Sequence, residues 1–157
     1  MFKNPIVKNI LSVLAVAGFG FILLNLTFLF DFLFQSVVIR FIKLFTSDNP
    51  PMDWHWFPPV MHIAFVALIG LISWAIFRTK IRVLFKAIYL TVPVAVALTT
   101  LGIFFYQWPA VPYLLGFLLI ADVLYYFYRT KQPWLYYYSV ILIGLVLAIF
   151  SLLGGEI

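Results

Sequence analysis

Apolar positions in this chain form long unbroken runs, parted by short breaks rich in proline or charge. Five runs reach or approach the ~20 residues that an α-helix needs to cross about 30 Å of hydrocarbon. They cover 6–30, 59–77, 84–106, 113–128 and 134–153. The breaks read DNPPMDWHWFPP, RTKIR, QWPAVP and RTKQP. Proline cannot continue a helix, and clustered charge holds its end in the interface. The apolar runs are continuous, so a membrane β-barrel, which needs alternation, does not fit. The pattern predicts an all-α integral membrane protein: one transmembrane domain over 1–157, built as a five-helix bundle.

The stretch 31–45, DFLFQSVVIRFIKLF, breaks the simple pattern. Joined to the first run it would make a helix of about 60 Å at 1.5 Å per residue, twice the hydrocarbon thickness. Its apolar residues Phe34, Val37, Val38, Phe41, Leu44 and Phe45 fall on one side of a helical wheel. Asp31, Gln35, Ser36, Arg40 and Lys43 fall on the other. That arrangement predicts an amphipathic interfacial helix after the first span, with a re-entrant hairpin as the rival arrangement.

Composition supports the membrane reading. The 157 residues are 66% hydrophobic and only 10% charged, with a mean hydropathy of +1.13. A soluble domain carries about 25% charged residues. The net charge of +5 is no signal for nucleic acid, because the cations sit in short clusters at the ends of apolar runs, where lipid headgroups would meet them. Eight of the ten basic residues fall at three places that share one side of a five-span chain. Lys3 and Lys8 precede the first span, Arg78, Lys80, Arg82 and Lys86 follow the second, and Arg129 and Lys131 follow the fourth. The excess of cations on cytoplasmic loops then predicts a cytoplasmic amino terminus and an outward carboxyl terminus in a cell (plasma or inner) membrane. The run 6–30 resembles a signal peptide at its start, but continues too far and is expected to stay as a membrane helix. With no cysteine, thiol catalysis, disulfides and thiolate metal sites are excluded.

Candidate chemistry is sparse. Asp122 lies in the fourth run, seven residues before Arg129 and so about 10 Å inside the boundary. An intramembrane acid is costly and marks a proton, cation or ligand site, or else a structural pair with a nearby base. Asn25 and Ser73 could join it as a ligand or proton site, or serve as hydrogen-bonding glue between helices. In PPMDWHWFPPVMH, Asp53, His55 and His62 could supply one oxygen and two nitrogens to a divalent metal, although D-x-H-x₆-H matches no established spacing. The bland reading of that stretch is a turn anchored at the interface by Trp54 and Trp56. Arg78, Lys80, Arg82, Lys86, Arg129 and Lys131 are expected to contact anionic lipid.

No phosphate loop, G-x-S-x-G or paired carboxylates are present, and no motif names a cofactor. The sequence therefore favours a non-enzymatic membrane component. It would bind a small molecule or lipid, or serve as an accessory subunit of a transport or electron-transfer assembly. Two alternatives stand beside it: a metal-dependent intramembrane enzyme acting on a lipid-like substrate at the outer face, and a small proton-coupled carrier using Asp122. Expected partners are membrane lipids and further membrane subunits, further copies of this chain among them.

Overall fold

The computed structural model describes residues 5–45, 57–108 and 110–153. They form five α-helices: α1 (Pro5–Phe45), α2 (Phe57–Arg78), α3 (Val83–Phe104), α4 (Ala110–Arg129) and α5 (Trp134–Leu152). Each is long and apolar enough to cross a membrane, and the chain is a multi-pass, all-α bundle. The fourth helix runs to 20 residues, longer than the 113–128 expected from its apolar run. Pro112 explains the difference, since a proline in the first turn gives up only an N–H that has no helical partner there.

The structure does not bear out a separate surface helix over 31–45: α1 is one continuous helix of 41 residues. Three of its polar residues over 31–45 are bonded within it, while Arg40 and Lys43 stand exposed. Gln35 Nε2 donates to Asp31 Oδ1 at 3.1 Å, and Ser36 Oγ donates to the Phe32 carbonyl at 2.8 Å. No proline or glycine follows Gly20 in α1, so nothing in the sequence forces a break. Phe30 and Phe34 also hold this part of α1 against α2, each with its ring 6.2 Å from that of Phe65.

The helix α3 is the hub. It touches α1, α2, α4 and α5, and its nine buried residues run from Ala87 to Thr99. The pair α3 and α5 forms the centre. Both α1 and α4 touch each member of that pair but not one another, so they lie in the two clefts on opposite sides of it. The helix α2 leans on α3 and on the far half of α1. The start of α1 and the α2–α3 and α4–α5 turns gather at one end of the bundle, the basic end.

Small and hydroxylated residues allow these approaches. Ser139 is fully buried, and its Oγ lies 2.8 Å from both the Ala87 and Leu135 carbonyls, so one proton is shared across the α3–α5 seam. A Cβ on Gly20 would stand 3.1 Å from Thr91 of α3, which is why α1 can sit so close there. The α4–α5 turn closes with the Gln132 N–H on the Phe127 carbonyl and the Lys131 N–H on the Tyr128 carbonyl. That is a Schellman cap, and Lys131 takes the left-handed position with φ 53° that glycine usually fills.

Candidate functional site

A cleft of about 800 Å³ lies between α3, α4 and α5, at the end away from the basic turns. Its walls come from the end of α3 and the turn after it (Leu98 to Tyr106), the first half of α4 (Pro112 to Ile120) and the last half of α5 (Ile141 to Ser151). Glycine shapes it. A Cβ on Gly116 would stand 3.2 Å from Leu98, and one on Gly144 would stand 2.6 Å from Ile120, so α4 meets its neighbours closely at the floor. Above the floor Tyr113, Phe117 and Leu145 stand exposed as rims, leaving the cleft open to the side where lipid would lie. The lining is mostly apolar. Its polar feature is the pair Tyr113 hydroxyl and Ser151 Oγ, 2.7 Å apart, which ties the start of α4 to the end of α5. A volume between about 300 and 1,000 Å³ with a few placed polar groups is what small-molecule sites offer. A second groove, of about 530 Å³ beside α1 and α3, has an all-apolar lining and nothing to orient a ligand.

The residues singled out from the sequence lie elsewhere. Asp122 is exposed on α4, and about half a helical turn separates it from the cleft-facing Tyr113 and Ile120. Asn25 is exposed on α1, its Nδ2 donating to the Phe21 carbonyl at 2.8 Å. Ser73 faces inward on α2. It donates to the Ile69 carbonyl at 2.7 Å, so the Tyr89 hydroxyl of α3, 3.1 Å away, must donate to Ser73 Oγ. Since α4 touches neither α1 nor α2, one chain does not bring Asp122, Asn25 and Ser73 together. Asp122 has no hydrogen bond or ion pair among the described residues. An acid at the centre of a membrane helix costs about 2.5–3.5 kcal/mol on the insertion scale, and less toward the interface.

Of the metal candidates, Asp53 and His55 lie outside the described residues. Among the described residues no three metal-binding side chains meet. His62 is buried in the second turn of α2. Its Nε2 is 3.0 Å from Thr100 Oγ1, whose own proton goes to the Val96 carbonyl at 2.6 Å. By elimination His62 donates from Nε2. The bond pins α2 to α3, as Ser73 and Tyr89 do lower down.

The basic residues divide. Lys86 turns inward and donates from Nζ to the Phe77 carbonyl at 2.8 Å, capping the end of α2. The Arg78 guanidinium rests 4.1 Å over the Trp74 ring. Lys80, Arg82, Arg129 and Lys131 stay exposed at the basic end. The tyrosines near that end divide as well. Tyr125, Tyr126 and Tyr128 are exposed, while Tyr136 is buried among Phe77 and Phe127, with ring distances of 6.3 and 5.8 Å.

Sequence reasoning missed the cleft. The signal was there in part: Gly102, Gly116 and Gly144 sit in three different helices, near the same end. Without helix pairing, nothing joined them. No family model, curated protein or solved structure matches this chain.

Proposed function

We propose that this protein is a non-enzymatic membrane component that binds a lipid-like molecule in the cleft between α3, α4 and α5. The observation that carries the reading is the cleft itself: about 800 Å³, open sideways, mostly apolar, with the Tyr113–Ser151 hydroxyl pair along it. An apolar chain entering from the bilayer would lie along Leu98, Phe117 and Leu145. A hydroxyl, carbonyl or ether near its polar end would exchange hydrogen bonds with Tyr113 and Ser151. Both hydroxyls can donate as well as accept, so a neutral polar group suits them better than a free cation. In this reading the basic end faces the cytoplasm, with Lys80, Arg82, Arg129 and Lys131 against anionic headgroups, and the cleft opens toward the outer leaflet.

Ala148 lines the cleft from α5 and is small, so Ala148→Phe fills the space from a helix already in place. The expected result is at least a tenfold loss of co-purifying lipid, read by mass spectrometry after purification in mild detergent, with helical content unchanged. Equal lipid recovery from the variant and the parent would remove the cleft as the binding site.

A further inference from the structure

We infer that the outward face of α4 docks on the outward face of α1 of a second copy, with Asp122 of one chain hydrogen-bonded to Asn25 of the next. This deepens the expectation of self-assembly and is independent of the cleft.

Asp122 and Asn25 are the exposed, non-aromatic polar side chains in the middle of the spans among the described residues. A polar side chain at that depth faces protein or water in a finished assembly, not hydrocarbon. Among the described residues Asp122 has no partner, and Asn25 uses one amide proton on its own helix, leaving the other and its oxygen without a partner among them. No basic side chain among the described residues stands exposed at that depth, so a further copy offers Asp122 an amide rather than a cation.

The faces agree. Along α1 the buried positions are Val16, Gly20, Leu24 and Thr27. Asn25 lies about half a turn from Val16, on an exposed stripe with Leu14, Phe21 and Phe28 spaced as in a coiled-coil seam. Gly18 is on the same stripe, and a Cβ there would meet nothing within 4 Å, so another helix can come close. On α4 the stripe holds Leu114, Leu118, Asp122 and Tyr125, all exposed. Because α1 and α4 lie on opposite sides of the α3–α5 pair, one chain carries both halves of the contact on opposite flanks. Such a head-to-tail contact repeats, into a ring if the rotation closes.

The heights agree too. Copies in one bilayer share its height scale. Gly20 packs against Thr91, and Gly116 against Leu98, which ties α1 and α4 to the same ruler, α3. Counting along parallel α1 sets Asn25 level with Val96. Counting along antiparallel α4 sets Asp122 level with Val92. The offset is about 6 Å at 1.5 Å per residue. Side chains lean toward the amino end of their helix, so Asn25 leans toward the basic end and Asp122 away from it. The two close that offset from opposite sides.

The chain has no cysteine, so introduced thiols report cleanly. Gly18 and Tyr125 both come level with Tyr89 and leave the polar pair intact. Membranes co-expressing the Gly18→Cys and Tyr125→Cys chains should give a disulfide-linked dimer on mild oxidation. Each variant alone should give none, and one chain carrying both should give a ladder of multiples. Adding Asp122→Ala to the Tyr125→Cys chain should cut the mixed dimer at least fivefold, while Asp122→Asn, which still bonds an amide, should keep most of it. Cross-linking of either variant alone would mean that like faces meet, and overturns the proposal. So does the absence of any cross-link, which would assign Asp122 to a different subunit.

Discussion

Helices α3 and α4 are nearly alike as sequences and opposite as structures. Their most apolar windows have mean hydropathies of 2.0 and 1.8, close enough that either could be the lipid-facing one. Yet nine residues of α3 are buried, against Gly116 and Phe127 in α4. Hydropathy reports that a segment leaves water, not whether protein or lipid replaces it. In lipid, no hydrophobic force pulls helices together; close packing and hydrogen bonds do. The helix α3 has the means: Ala87, Thr91, Ala95 and Thr99 are small, and its neighbours supply Ser139 and Gly20 at the contacts. The helix α4 spends its small residues on the cleft and on its outward face.

The contrast can be broken or sharpened by substitution. The largest effect is expected around α3. Phe65 is 2% exposed and packs with Val92 and Val96 of α3 and with Phe34 of α1. Phe65→Ala should cost about 3 kcal/mol, the low end of the range for such truncations, because lipid removes much of the transfer term and leaves the cavity term. Reversible unfolding in detergent measures it, and a cost below about 1 kcal/mol would deny α3 its role as hub. A smaller effect of opposite sign is expected at the end of α4. Lys131→Gly should stabilise by about 1 kcal/mol, since the left-handed position then carries no Cβ penalty. The smallest effect belongs to the outward face of α4. Leu118 is 53% exposed, and Leu118→Ala should change the unfolding of the single chain by less than about 0.5 kcal/mol. The same change should lower the mixed Gly18–Tyr125 cross-link, which separates what α4 does within a chain from what it does between chains.

Much of the fold was legible in the residues. The apolar runs and their proline and charge breaks mark five helices, because crossing hydrocarbon is a demand on length and composition alone. The continuity of α1 was not legible. Asp31, Gln35 and Ser36 read as interfacial polarity, and only their mutual geometry reveals that Gln35 answers Asp31 and that Ser36 bonds back to Phe32. Nor could the sequence tell which way each polar side chain turns. A helix that is apolar on all sides has no stripe to orient it. So Ser73 and Thr100 point inward and Asn25 and Asp122 outward with nothing local to separate them. Lys86 shows the same limit: its spacing with Arg78 and Arg82 suggests a single cationic stripe, but a carbonyl of the neighbouring helix claims it.

The uninterrupted length of α1 makes it a lever. A rigid rod clamped to α3 around Gly20, with its tip about 37 Å farther on, must swing that tip by about 6 Å for each 10° that the clamp tilts. Small rearrangements near Gly20 and Thr91 would therefore arrive magnified at the far end of the helix, around Arg40 and Lys43.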